Sequence, residues 1–340
     1  MRRKSGLILL AAAVFCVAMA PLLREFVFPK LVAKALAGED AYRVVVLDAN
    51  NATLLGAPEG SGAGKAKVTA IQTIRPDAKA AKDGTVVWDL NLAVLDSSGK
   101  VVTQLPERYA FEAAGQIPRN CCGESVDGAP AAHTGLAYKW PFFTGKRDYN
   151  YYDSQAHSAN VIVYKGTEKR SGLQTYRFEQ EVPWMKIPMP RQLPGGLDPA
   201  ALEKDGLQLW YTVLRRMWVE PVTGIPVYLE ETRKEELRSS PPADDPNAKP
   251  VVTKVFEGTF VPRPAWSQKL IADAKDRSAT LRAVHDTIPL ALLVTGVLLF
   301  LIAVALQFVA DRRNRPTPTP AGRPTTDGAE PAPVGGEVGR

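Results

Sequence analysis

The sequence is poor in the residues that most often carry metal and thiol chemistry. Its 340 residues include only three cysteines and three histidines. The histidines, His133, His157 and His285, lie far apart and do not show the spacing of metal ligands. We therefore expect neither a metal site nor another cofactor.

Motifs for phosphate binding and for nucleophilic catalysis are also missing. "GSGAGKA" (60–66) fails as a nucleotide-binding loop, because Glu59 stands where glycine is needed and Ala66 where serine or threonine is needed. The residues around Ser125 lack the final glycine of a nucleophile elbow. The paired acids at 230–231 are predicted to lie on a solvated face of a strand. The sequence therefore does not indicate an enzyme.

The positive charge is concentrated at the ends of the chain. The net charge is +6, and residues 1–5 together with 311–340 contribute +4 of it. The long central segment is close to neutral, so we do not expect nucleic-acid binding.

Long apolar runs are limited to one near each end, 6–23 and 288–310. The second holds about 23 uncharged residues, long enough to cross a hydrocarbon core of about 30 Å as a helix. The first has the basic flank and the "AMA" ending of a signal peptide. Pro21 directly after that ending and the continuation of the run to Leu23 favour an uncleaved anchor.

Basic residues flank the outer end of each apolar run, which places both termini in the cytoplasm. The protein is thus expected to cross the cell membrane twice, with its main domain outside. The predicted segments are cytoplasmic 1–5, transmembrane 6–23, an extracytoplasmic β-rich domain 24–287, transmembrane 288–310 and a disordered cytoplasmic tail 311–340, rich in Pro, Gly and Thr.

Alternation of apolar and polar residues predicts strands in the central segment. In 85–96 five apolar side chains from Val86 to Val94 share one face, which is typical of a half-buried strand. A fold with mainly antiparallel strands, either an open barrel or a meandering sheet, is favoured because no regular βαβ alternation is present. Further strands are predicted at 42–47, 67–74, 101–105, 158–166, 173–182 and 251–261, with a hairpin around 222–224, short helices at 29–40 and 266–286, and loops at 56–67 and 239–250.

Aromatic residues are dense in 135–153, "GLAYKWPFFTGKRDYNYYD". Such side chains bury large apolar areas while Tyr and Trp retain a polar group. They form either ordinary core with a belt facing the membrane or a surface that contacts a sugar or lipid ligand. The candidates for ligand contact are Tyr138, Trp140, Phe142, Phe143, Tyr149 and Tyr151.

Two of the three cysteines are adjacent, Cys121 and Cys122, while Cys16 lies in the first apolar run. An oxidising exterior favours disulfides, and the nearest partner of each adjacent cysteine is the other. A vicinal disulfide is favoured over two free thiols or bridges to a second chain. Cys16 is predicted to be buried in the membrane and inert.

Several phrases of the sequence resemble a family. "NCCGESVDG", "GLQTYRFEQEV", "WVEPVTGIPV" and "TIPLALLVTGVLLF", together with the aromatic segment, are similar to an actinobacterial family of membrane proteins often labelled the porin PorA family. The resemblance implies two membrane helices around a large extracytoplasmic domain. It implies a role for some members in the export or maturation of envelope lipoglycans, and it transfers no catalytic residue.

These observations predict a membrane-anchored protein that binds or helps to transfer a lipid or lipoglycan of the cell envelope. The expected partners are the bilayer, that ligand and a further membrane protein. A structural or assembly protein that binds another envelope protein is the alternative, followed by an oligomeric channel. A cavity would favour the first function and an exposed apolar patch the second.

Overall fold

The fold was analysed in a computed structural model that describes residues 2–57, 63–239 and 249–313. Most of the predicted loop 239–250 and nearly all of the predicted tail 311–340 lie outside these residues. The chain divides into two compact units, Met1–Val17 with Val294–Arg340, and Ala18–Leu293.

Helices stand at both ends of the described chain. A π-helical turn, Leu23–Val27, joins α1 to α2, and a second one, Ala283–Thr287, joins α4 to α5. The continuous helices Gly6–Ala37 and Pro264–Val309 are long and apolar enough to cross a membrane. The α-helices are α1 Arg2–Leu22, α2 Phe28–Ala37, α3 Pro199–Lys204, α4 Pro264–Arg282 and α5 Ile288–Arg313.

Between the terminal helices the described residues form one antiparallel sheet of twelve strands. Its order is β6-β5-β4-β3-β2-β1-β12-β11-β10-β9-β8-β7. Neighbours in sequence therefore pair, except β6 and β7, which form the two edges, and β1 pairs with β12 to join the two halves. The predicted fold class is confirmed as a meandering open sheet between two apolar helices. The strands are β1 Arg43–Leu55, β2 Ala63–Pro76, β3 Thr85–Leu95, β4 Val101–Glu112, β5 Ser125–Val126, β6 Ala129–Pro130, β7 Tyr149–Asp153, β8 Ser158–Arg170, β9 Leu173–Ile187, β10 Leu207–Glu220, β11 Ile225–Ser239 and β12 Val252–Pro262.

The two faces of the sheet differ in polarity. Along β10 and β11 every second residue from Leu209 to Met217 and from Val227 to Leu237 points inward; all of them are buried except Leu229 and Glu235, which are half-buried. The outward residues between them form ion pairs with neighbouring strands, such as Arg216 with Glu179 at 3.1 Å and Lys234 with Glu257 at 3.0 Å. A face with such pairs suits water rather than lipid.

Small residues line the helix contact in the first unit. A Cβ atom added at Gly296 of α5 would lie 2.8 Å from Val17 Cγ2 and 3.0 Å from the carbonyl oxygen of Ala13, both on α1. Close approach through small residues is the usual way in which helices pack within a membrane. Cys16 belongs to the same contact, since its Cβ lies 3.2 Å from that added atom.

Three expectations are corrected by the structure. The predicted loop 56–67 is too long, because β2 already begins at Ala63. The aromatic segment ends in a strand, β7, that periodicity did not predict. The paired acids do not share a solvated face: Glu231 is only 6% exposed and points inward, since neighbouring residues of a strand face opposite sides.

Candidate ligand-binding site

Four cavities follow one another through the β domain, and each shares lining residues with the next. The largest, the helix-side cavity, measures about 420 Å³ and is lined by residues of α2 and α4. It shares Arg43 and Ile225 with the neck, a cavity of about 90 Å³ inside the sheet. The neck shares Met217 with the central cavity of about 110 Å³.

The last of the four is the far cavity, which measures about 190 Å³ and shares Leu105 and Gln155 with the central cavity. His157 and Met189 also contribute to its wall. The four cavities together are here called the interior passage, and its first cavity is lined by the helices that continue as the apolar spans. Because each cavity shares wall residues with the next, the four lie in a row within the β domain.

The helix-side cavity is mainly apolar. Phe28, Val32 and Leu36 line it from α2. Leu281 of α4 and Val284 of the π-helical turn after α4 line it from the other side. Their spacing of three or four residues puts each set on one helix face. Such a surface fits a hydrocarbon chain.

A buried network of charges forms one wall of the central cavity. Arg215 donates to Glu231 at 2.7 Å, to Gln180 at 2.6 Å and to Asp153 at 3.0 Å. Arg233 donates to the other carboxylate oxygen of Glu231 at 2.5 Å. All these partners lie inside the protein, so the charged groups of the network are paired with one another. The same bonds attach β10 and β11 to β7.

Burial and pairing act in opposite directions on the charges of this network. Burial by itself raises the pKa of Glu231, but Arg215 and Arg233 outweigh it and hold that pKa at about 2. Burial raises the pKa of Glu235 from its usual value, and Arg233 only partly opposes this. The central cavity therefore has a polar wall of paired charges rather than a catalytic acid with a free acceptor.

The aromatic segment is held by the turn between β10 and β11. Trp140 N donates to Gly224 O at 2.8 Å, and Phe143 N donates to Val222 O at 3.1 Å. Gly224 has φ of 69°, and a Cβ added there would lie 2.1 Å from the carbonyl oxygen of Trp140. Only glycine combines this backbone conformation with such a close approach.

The structure brings three of the six predicted aromatic candidates to the interior passage. Tyr138 and Tyr151 line both the neck and the central cavity. Phe142 lines the helix-side cavity, where the ammonium of Lys139 lies 3.6 Å from its ring centroid. Ligand contact by these residues stays a prediction.

The other three candidates are found in packing contacts. Trp140 is fully buried and stacks on Tyr151 with ring centroids 5.2 Å apart. Phe143 stacks on His285 at 3.9 Å, and the Tyr149 hydroxyl accepts from Gly145 N at 2.9 Å. Core and cavity wall are thus both built from this segment.

A second buried cluster lies beside the passage. His133 contacts Glu107 through Nε2 at 2.9 Å and Glu124 through Nδ1, and the Tyr138 hydroxyl donates to Glu107. Burial alone would lower the pKa of His133, but its bonds to the two carboxylates raise it to about 9. The imidazolium is therefore the form that balances the two buried acids at neutral pH.

Cys121 and Cys122 form a vicinal disulfide. The carbonyl oxygen of Cys122 accepts from Arg108 Nε at 2.8 Å, and the same guanidinium pairs with Asp77 at 2.7 Å and Asp89 at 2.6 Å. The disulfide turn is thereby attached to β3 and β4, and Glu124, which accepts from Cys121 N, links it to His133.

Sequence reasoning missed the charged residues of the passage, above all Arg43, Asp153, Arg215 and Arg233. One signal was present for two of them, since Arg43 and Arg215 stand at inward positions of strands whose other inward residues are apolar. In β10 the inward series Leu209, Tyr211, Val213, Arg215, Met217 contains a single charge. Within the described ranges, no group of three His, Cys, Asp or Glu side chains is placed to hold a metal ion.

Fold and cavities define a class: a membrane protein whose antiparallel β domain stands between two apolar helices. The profile of the family described as Porin PorA matches residues 5–305, and the chain belongs to that family. A protein named Porin PorA from Corynebacterium resistens is 26% identical over 249 residues, which cover 57% of this chain. The match spans 60% of the length of that relative. Family membership points to a non-enzymatic membrane protein.

Proposed function

We propose that this protein binds a lipid or lipoglycan of the cell envelope and passes it through the interior of its β domain. The observation that carries the proposal is the interior passage, in which each cavity shares wall residues with the next. Cavities of this kind, largely apolar with a few polar groups, are typical of ligand sites.

The proposed topology fits this role. With 6–23 and 288–310 as membrane spans and both termini in the cytoplasm, α2 and α4 leave the outer membrane surface as continuations of the spans. The helix-side cavity, which these two helices line, would then be the part of the passage nearest to the bilayer. A hydrocarbon chain could move from lipid into the cavity without crossing water, which avoids a cost of about 0.8 kcal/mol for each methylene that would otherwise be exposed to water.

A channel is the second candidate, because the relative from C. resistens carries the name porin. A pore made by the strands would need an apolar outer face against lipid. The ion pairs on the outer face, including Arg263 with Asp48 at 2.9 Å, favour instead a β domain in water and a passage for a bound molecule. An assembly role for the β domain, which the sequence alone ranked ahead of a channel, is the third candidate.

Native mass spectrometry of the full chain, purified in mild detergent from its own membranes, tests the proposal. We expect a bound lipid in the wild type and its loss in Met217→Trp. The larger side chain would fill the space where the neck meets the central cavity. Leu214→Trp is the matched control, because Leu214 stands on the same strand and faces outward. A wild type without lipid, or equal loss of lipid in both variants, would contradict the proposal.

A further inference from the structure

Cations are concentrated at the helix-side cavity. Arg43, Lys139 and Arg277 line it, against a single lining carboxylate, that of Asp276. The three cations come from β1, from the aromatic segment and from α4, so the fold brings them together from distant parts of the sequence. The wall of an otherwise apolar cavity therefore carries an excess of positive charge.

Arg43 differs from the other inward-facing arginines. Arg215 and Arg233 each have carboxylate partners within 3 Å. The Arg43 side chain makes no hydrogen bond and no ion pair with any residue that the structure describes. Burial, followed by repulsion from Arg277, lowers its pKa to about 10, and the charge of Asp273 only partly opposes this. A guanidinium has five donors, and leaving them all unpaired in a half-buried position is costly.

Lys139 is also short of partners. Its ammonium is buried, faces the Phe142 ring and donates to the carbonyl oxygen of Trp140 at 2.8 Å. Two of its three donors thus have no oxygen acceptor among the residues that the structure describes. Burial and then the charge of Arg43 lower its pKa well below the usual value.

The nearest acids do not neutralise Lys139. Glu112 accepts from the backbone N–H groups of Ala114 and Gly115 at 2.8 Å and 2.6 Å. Glu220 accepts from Val222 N at 3.1 Å and from Thr223 at 2.7 Å. Both carboxylates serve to cap turns, and neither forms a hydrogen bond with Lys139 or Arg43.

We infer that the helix-side cavity is a site for an anionic amphiphile, with its phosphate or carboxylate at Arg43, Lys139 and Arg277 and its hydrocarbon chain against α2 and α4. The inference rests on the proposed function and names the chemical class of the ligand. Arg43 also lines the neck, so the charged group would be held where the helix-side cavity meets the inside of the sheet.

Binding of two probes to the full chain in phosphatidylcholine nanodiscs tests this inference. One probe is an alkyl phosphate with a fluorescent chain, and the other is the alcohol with the same chain; empty nanodiscs give the background. We expect the phosphate to bind about tenfold more tightly than the alcohol, because charge-assisted hydrogen bonds are the strong ones. Arg277→Glu and Arg43→Gln should each remove about that factor for the phosphate and leave the alcohol within about twofold.

Arg277 is exposed, so its replacement tests the site without disturbing the core. Lys34→Gln is the matched control: it removes an exposed cation from α2 that does not line the cavity. Equal binding of both probes, unchanged by the variants, overturns the inference and leaves the proposed function standing. Binding of neither probe overturns both. Full displacement of the alkyl phosphate by an equal concentration of inorganic phosphate would show that the site binds a free anion. That result overturns the inference that the ligand is an amphiphile.

Discussion

At the scale of single residues, the buried charges of the β domain differ in the partners that surround them. Arg215 is enclosed by carboxylates and an amide, His133 lies between two carboxylates, and Arg43 has no such partner among the described residues. A buried ion with partners stabilises the fold only as part of its set, because removing one partner leaves the others uncompensated. An ion without partners is available to a ligand.

The pH dependence of stability should report the protonation of His133. Its pKa is about 9 in the folded protein and about 6.5 in the unfolded chain, so its contribution is complete below about pH 6.5 and is lost as pH rises through about 9. The shift corresponds to about 3 kcal/mol. Thermal unfolding of the full chain from pH 6 to 10, followed by near-ultraviolet circular dichroism, should show this loss.

His133→Gln is the matched variant for that experiment. It should lower the free energy of unfolding at pH 6.5 by about 3 kcal/mol, because Glu107 and Glu124 stay buried without a cation. Its stability should vary much less between pH 6.5 and 9. The same decline in both proteins would show that His133 is not its source.

The adjacent cysteines should be oxidised in the protein as isolated. Alkylation without reduction, followed by mass spectrometry of the peptide that contains Cys121 and Cys122, should find neither thiol labelled. Reduction before alkylation should label both, which serves as the control. Two labelled thiols in the unreduced sample would refute the disulfide.

At the scale of elements, periodicity predicted much of the sheet and little of its interior. The alternation in 85–96 matches β3, Thr85–Leu95, because one face of that strand is buried. The pairing of β1 with β12 could not be predicted, since no local pattern fixes contacts between strands about 200 residues apart. The cluster of His133 with Glu107 and Glu124 was missed for another reason: these residues lie 26 and 9 positions apart and do not follow the spacing of a known motif.

Gly296 gives the most direct test of the helix pair. In Gly296→Cys the new Cβ would lie 3.2 Å from that of Cys16, close to the separation found in disulfides, which is about 3.5 to 4.5 Å. Mild oxidation in membranes should therefore join the two residues and change the mobility of the chain on a non-reducing gel.

Leu298→Cys is the control for this cross-link, because Leu298 is exposed on α5. It should form little or no intrachain bond with Cys16. Equal cross-linking of both variants would mean that α1 and α5 lack the defined contact around Gly296.

At the scale of the whole molecule, the account depends on which side of the membrane the β domain occupies. The proposed topology puts it outside the cell. Lys254→Cys, at an exposed site on β12, should react in intact cells with a maleimide that cannot cross membranes. A cysteine replacing Arg2, in the predicted cytoplasmic segment, should react only after the cells are opened. The reverse pattern would contradict the topology.

The central claim is that an amphiphile occupies the interior passage, and photolabelling tests it most directly. An alkyl phosphate with a diazirine at the end of its chain is bound to the full chain in nanodiscs, irradiated, and its adducts are located by tandem mass spectrometry. The account predicts adducts on walls shared by the neck and the central cavity, such as Met217 and Leu229. Met217→Trp should move them back to the helix-side cavity, while Leu214→Trp leaves them in place. Adducts confined to α1, α5 and the outer face of the sheet would contradict the account.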